Sequence, residues 1–232
     1  MRTLLLFTLL FTFSNAFAGE VEDLIKKMQA GFSQAKTLEY TCVYELFKGH
    51  KGTEIHSAYN GYVCRMDKMV YQKIKNTEFV YGSDYFLKIS HEEKALSLDF
   101  AQNNIIREVD MSTIFEHCEE KEVKILDNYF AITLKYKYGS PSPFRVVKMR
   151  MDKKTFQLLQ LDLYYTNSQD FSSTPGRPEM AQPHLRIRFS TMKTGLEVKK
   201  ELFEFSKYIE TKNQMLIPAG SCKGYELIDN RI

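Results

Sequence analysis

From Leu38 the apolar residues of this chain fall on every second position. Leu38, Tyr40, Cys42, Tyr44 and Leu46 alternate with Glu39, Thr41, Val43 and Glu45. A period of two sends neighbouring side chains to opposite faces of an extended backbone, so the stretch predicts a strand with one buried face. Residues 54–66, 68–75 and 77–82, then "YFLKIS" and "ALSLDF", continue as strands. They are set apart by "KGHKGT", "GSD" and "HEEK", and short strands joined by tight turns predict an antiparallel meander. Strands resume at 121–127, 129–138, 144–152 and 156–166, with "DKKT" turning the last two into a hairpin. A polar segment with three prolines, "NSQDFSSTPGRPEMAQP" at 167–183, reads as a surface loop. "HLRIRFSTM" and "ELFEFSKYI" are the next strand candidates.

Two segments break the period. Val21, Leu24, Ile25, Met28, Phe32 and Ala35 recur at helical spacing and predict an amphipathic helix. Met111, Ile114, Phe115 and Cys118 do the same, with Asp110 as N-cap, and predict a short helix within 102–120. The expected fold is mainly β (α+β), a curved antiparallel sheet of about eleven strands. A sheet that wide curls. The economical packing is a half-barrel with the N-terminal and mid-chain helices against its concave face.

The first residues, "MRTLLLFTLLFTFSNAFAGE", combine one arginine, an apolar run and small residues at cleavage spacing. They read as a secretory signal peptide, 1–18, cut after Ala18. The run is too short for a bilayer, which needs about 20 residues. Removing 18 of 232 residues leaves 214, which suits a single domain over 19–232. The formal net charge of +3 drops by one, to +2, with the loss of Arg2. Its bases are scattered among acids, so no nucleic-acid groove is expected. An exported compartment permits disulfides, and Cys42, Cys64, Cys118 and Cys222 allow three pairings; free thiols are the alternative, and the pairing stays open.

Catalytic and metal patterns are missing from the sequence. His50, His56, His91, His117 and His184 form neither HExxH nor finger spacing, so no cofactor or metal is expected. There is no GxSxG, P-loop or GxGxxG. Glu92–Glu93 and Glu119–Glu120 read as solvated charge. The chain is not expected to be an enzyme, with a hydrolase built from distant carboxylates as the outside case.

The apolar lining stands out instead. Tyr40, Tyr44 and Leu46 share a strand face, as do Phe130, Ile132, Leu134 and Tyr136. Leu159, Leu161, Leu163 and Tyr165 share another, and Leu185, Ile187 and Phe189 a fourth. Any one of these is ordinary core. Together they offer more apolar surface than two short helices can cover, and a remainder would suit an apolar ligand. The lining expected to bind it is Tyr40, Tyr44, Leu46, Tyr62, Phe130, Ile132, Leu134, Leu161, Leu163 and Ile187.

This ordered series resembles the LolA/LolB-type lipoprotein carriers of Gram-negative envelopes, in particular the LolA-like proteins of Bacteroidetes-type bacteria. The likeness runs through "LEYTCVYELF", "NTEFVYGSDYFLKISHEEKALSL", "VVKMRMDKKTFQLLQLDLYYT" and "ELFEFSKYI", and ends in "KGYELIDNR". It implies a periplasmic carrier, a monomer, that shields acyl chains of a lipoprotein or other lipid on the way to the outer membrane. An inner-membrane release complex and an outer-membrane acceptor would be its partners. It also implies a lid helix bearing Met111, Ile114 and Phe115. The family's lid-fastening arginine precedes a proline; here the candidate latch is Arg65 in "NGYVCRMDKM", without that proline, and a surface strand charge is the alternative reading of it. The alternative is a periplasmic protein-interaction or sensing module on the same fold, for which the loop 167–183 is the motive. In either case Tyr225, Leu227 and Ile228 of the C-terminal "KGYELIDNRI" are expected to close a sheet edge or rest on the first helix.

Overall fold

The computed structural model of the protein describes residues 4–101, 115, 117–172 and 176–231, with side chains from residue 19 onward. Helix α1 (Leu4–Ser33) comes first. Of its expected stripe, Val21, Leu24 and Ile25 are buried and Met28 is half-buried, whereas Phe32 is exposed. Ser33 donates its hydroxyl back to the Gln29 carbonyl, and Ala35 lies beyond the helix end.

The strands are β1 (Thr37–Phe47), β2 (Ile55–Met66), β3 (Met69–Ile74), β4 (Thr77–Tyr81), β5 (Tyr85–Ser90) and β6 (Ala95–Phe100). After the mid-chain segment come β7 (Cys118–Ile125), β8 (Tyr129–Tyr136), β9 (Phe144–Asp152) and β10 (Leu158–Tyr165). Then follow β11 (Gln169–Asp170), β12 (Met180–Ala181), β13 (His184–Phe189), β14 (Lys193–Thr194), β15 (Ile209–Lys212), β16 (Met215–Pro218) and β17 (Glu226–Asp229). The fold is mainly β, as expected. Thirteen strands form one sheet in the order β17-β6-β5-β4-β3-β2-β1-β13-β10-β9-β8-β7, with β14 also on β1, and the path is open at both ends. The extra strands, such as β11, β12 and β14, are two residues long, too short for a period-two pattern to register.

Three expectations change. "ELFEFSKYI" is not a strand at its start: Lys200–Phe203 and Phe205–Lys207 are 3-10 turns, and extension begins at Ile209. Its alternating aromatics are satisfied by tight turns that drop Phe203 and Tyr208 into a core. Tyr208 Oη donates to the Leu202 carbonyl at 3.0 Å, and Tyr85 Oη donates to the Phe203 carbonyl. Cys118 opens strand β7 instead of ending a helix, because the His117 carbonyl already accepts Lys137 N–H at 3.0 Å across that hairpin. On β1 the buried set changes parity, from Leu38 and Cys42 to Glu45 and Phe47.

The chain divides into two compact units. The first comprises 1–34, 43–58 and 110–189, the second 35–42, 59–109 and 190–232. In the first, Val21, Leu24 and Ile25 of α1 pack with Ile132 and Leu134 of β8 and Val147, Met149 and Met151 of β9. In the second, Tyr71, Val80, Leu87, Ile89, Leu96 and Leu98 pack with Phe203, Tyr208, Ile209 and Cys222. None of the four cysteines forms a disulfide. Among the described residues no helix is long and apolar enough to cross a membrane.

Candidate functional site

In the second unit the sheet carries apolar side chains on both faces. One face is the core around Leu87 and Leu96. Strand alternation turns the residues between those core positions to the other side. Register aligns them in rows: Arg65, Val70, Tyr81, Phe86 and Asp99 face one another across β2 to β6. Val63, Gln72, Phe79 and Lys88 form the next row. Rings of Tyr81 and Phe86 lie 4.8 Å apart, and Phe79 stacks on Phe86 at 6.4 Å. Val63 is buried; Val70, Phe79, Tyr81 and Phe86 are half-buried. An antiparallel sheet that has already packed one face on a core commonly turns a polar face outward. This one carries a second apolar stripe.

One cation stands at its end. Arg65 is 7% exposed, and its Nη2 donates to the Ala35 carbonyl. Burial lowers the affinity of that guanidinium for its proton, and Tyr40 opposes the shift. Burial in turn pushes the Tyr40 phenol up to about 12; the neighbouring Cys42 thiol adds to the rise and Arg65 pulls it back. Among the described residues, what Arg65 fastens is the segment entering β1. Tyr62 lies on the opposite face, with the parity of Cys64, where its hydroxyl donates to Glu39 Oε2 at 3.1 Å.

The first unit gathers the remaining expected lining differently. Phe130, Ile132, Leu134, Leu161 and Leu163 share one cluster with α1 and with half-buried Phe115. Ile187 stands opposite Leu161 in the β10–β13 register. Tyr44 and Leu46 point away from Glu45 and Phe47, which face Arg188 and His184. Val21, Leu24, Ile25 and Met28 of helix α1 pack on this face. A groove of about 460 Å³ remains beside it, lined by Gly19, Glu20, Asp23, Leu24, Lys27, Phe130 and Phe156. Phe130 and Phe156 stack at 6.2 Å, and Lys27 Nζ sits 5.1 Å over the Phe156 ring. Met111 and Ile114 of the expected lid helix lie outside the described residues.

Sequence reasoning missed a buried polar network on the opposite face of this sheet. Asp162 accepts from His184 Nε2 at 2.8 Å, Arg186 Nε at 2.8 Å and Gln160 Nε2 at 2.6 Å. Burial works against the Asp162 charge, but those donors outweigh it and hold the carboxyl at about 2. The signal was present as polar residues at i, i+2 spacing, Gln160 and Asp162 on one strand and His184 and Arg186 on another. A carboxylate and a histidine do converge here. The His184 ring, however, is clamped between Tyr164 at 4.3 Å and Phe47 at 5.0 Å and is 3% exposed, so it is built for structure. Among the described residues, no group of acidic, histidine or cysteine side chains could hold a metal ion.

No protein-family model matches the chain, and no curated protein matches it in sequence. Solved structures do resemble it. An uncharacterized conserved protein from Thermus thermophilus superposes with a TM-score of 0.50 at 6% identity, over 91% of this chain and 99% of that one. The lipoprotein LppX of Mycobacterium tuberculosis gives 0.43 at 7% identity, over 76% and 97%. A LolA superfamily protein from Nitrosomonas europaea gives 0.34 at 10% identity, over 79% and 96%. The structures similar to this chain thus include a LolA superfamily protein, and at these identities the likeness is one of fold.

Proposed function

We propose that the protein is a periplasmic carrier that binds acyl chains of lipoproteins or other lipids and moves them towards the outer membrane. The observation that carries this reading is the second apolar face of the second unit, with Val70, Tyr81 and Phe86 in one cross-strand row and buried Arg65 at its end. Each methylene exposed to water costs about 0.8 kcal/mol, so an acylated cargo needs such a surface to cross an aqueous space. Arg65 would place a cation beside an anionic head group while the chains lie on the aromatic rows. In this reading residues 1–18 are removed on export and 19–232 work as one carrier. An inner-membrane release complex and an outer-membrane acceptor would load and unload it.

Purified protein extracted with organic solvent should yield acyl-bearing ligand by mass spectrometry, or should take up a fluorescent fatty acid. Phe86→Glu should weaken that uptake at least tenfold while the melting temperature stays within a few degrees. Absence of both copurified and added ligand in the parent protein would sink the carrier reading.

A further inference from the structure

On the polar face of the first unit, cross-strand register assembles an array of cations. Arg188, Gln160 and Arg150 form one row over β13, β10 and β9, and Arg186, Asp162 and Lys148 form the next. Adjacent strands stand about 4.8 Å apart and same-face residues about 6.7 Å apart along a strand, so four basic groups share a small area. Their height is fixed from below. Arg186 lies over the Phe47 ring at 5.3 Å, Lys148 over Tyr164 at 5.2 Å and Arg150 over Tyr129 at 5.3 Å. The acids sit beneath this layer: Asp162 under Arg186 and Glu45 beside Arg188 are 6% and 5% exposed, whereas Arg188, Lys148 and Arg150 are exposed. Among the described residues Lys148 and Arg150 have no carboxylate partner, and one oxygen of Glu45 has no hydrogen-bond donor. Within these two rows the acids lie beneath the cations; beyond Lys148 the second row runs through Thr133 to exposed Glu122 on the β7 edge.

We infer that this face docks on a membrane surface of anionic phospholipid. A specific protein interface needs a buried apolar anchor at its centre. Here the rings of Phe47, Tyr164 and Tyr129 are already roofed by cations. A lattice of phosphates needs no anchor; it needs several cations held in a plane, each strengthening attachment about fivefold. The inference is independent of the acyl-binding reading, which uses other residues in the second unit.

The test is sedimentation of the full chain with vesicles of phosphatidylglycerol and phosphatidylcholine, against phosphatidylcholine alone, at low salt. Binding should require the anionic lipid and disappear near 0.5 M salt, where the Debye length falls to a few ångströms. The double substitution Lys148→Gln, Arg150→Gln should reduce it about thirtyfold, while fatty-acid uptake stays at the parent level. Equal binding to neutral vesicles, no binding to anionic ones, or an unchanged double variant overturns the inference, as would a preference for polyaspartate over vesicles. Loss of fatty-acid uptake in the parent would sink the carrier reading alone.

Discussion

At the residue scale, Asp162 shows how a buried charge is kept. Three donors surround it, and its folded-state proton affinity lies near pH 2 against an ordinary value of 3.8. The folded form therefore binds the proton less well than the unfolded chain does. Its stabilising effect is complete above about pH 4 and is lost as pH falls towards 2, and amounts to about 2 kcal/mol. Acid unfolding followed by circular dichroism should show that loss in the parent. Asp162→Asn should remove the pH dependence in this window and lower stability at pH 7; a variant that titrates like the parent would refute the account. Arg65 was legible in the sequence as a cation of interest, but its partner was not. Nothing local to "NGYVCRMDKM" says that a guanidinium 30 residues downstream will reach the Ala35 carbonyl. Tyr62 sits on the other face for the same reason: alternation groups residues within a strand but does not say which group meets the core.

At the element scale, the two ends of the sheet are protected by different means. The edge strand β7 is lined with Glu119, Glu120, Glu122 and Lys124, all exposed, and charge discourages another strand from pairing there. At the other end β17 covers β6 in parallel, with Leu227 opposite Leu96 and Asp229 opposite Leu98. A side-chain chain pins its start. Tyr225 donates to His91 Nδ1 at 2.9 Å, and His91 Nε2 donates to Glu78 at 2.9 Å. Glu78 is buried, which raises its proton affinity, yet His91, Lys73 and Tyr71 together bring it below the usual carboxylate range. Truncation after Cys222 uncovers Leu96 and Leu98 and removes these bonds, so it should cost about 3 kcal/mol in urea unfolding. A truncated chain that melts with the parent would contradict this. The tail's alternation was readable, and so was its role at an edge. Its parallel direction was not, because a four-residue strand carries no mark of orientation. The failure over 200–208 has a related cause: alternating aromatics serve a 3-10 turn as well as a strand when the core lies to one side.

At the scale of the whole molecule, both units rely on packing and hydrogen bonds, without covalent ties. Cys42, Cys64 and Cys222 are buried at 2% or less, and none of the four cysteines forms a disulfide. Titration with a thiol reagent should find four reactive groups per chain in denaturant, and little reaction beyond Cys118 in the native protein. A disulfide found by mass spectrometry of the oxidised protein would contradict that arrangement. The sequence by itself determined the mainly β class, the N-terminal helix, nearly every long strand and the closing tail. These rest on periodicities of two and 3.6, which neighbouring residues carry among themselves. Only the tertiary structure decided which face of each strand meets a core, that α1 packs on the apolar side of the first unit, and that the second unit keeps a further row of apolar side chains with Arg65 beside it. It also decided that Asp162 and His184 share one network. Those outcomes depend on strand order and register between segments far apart in the chain, and no local pattern encodes them.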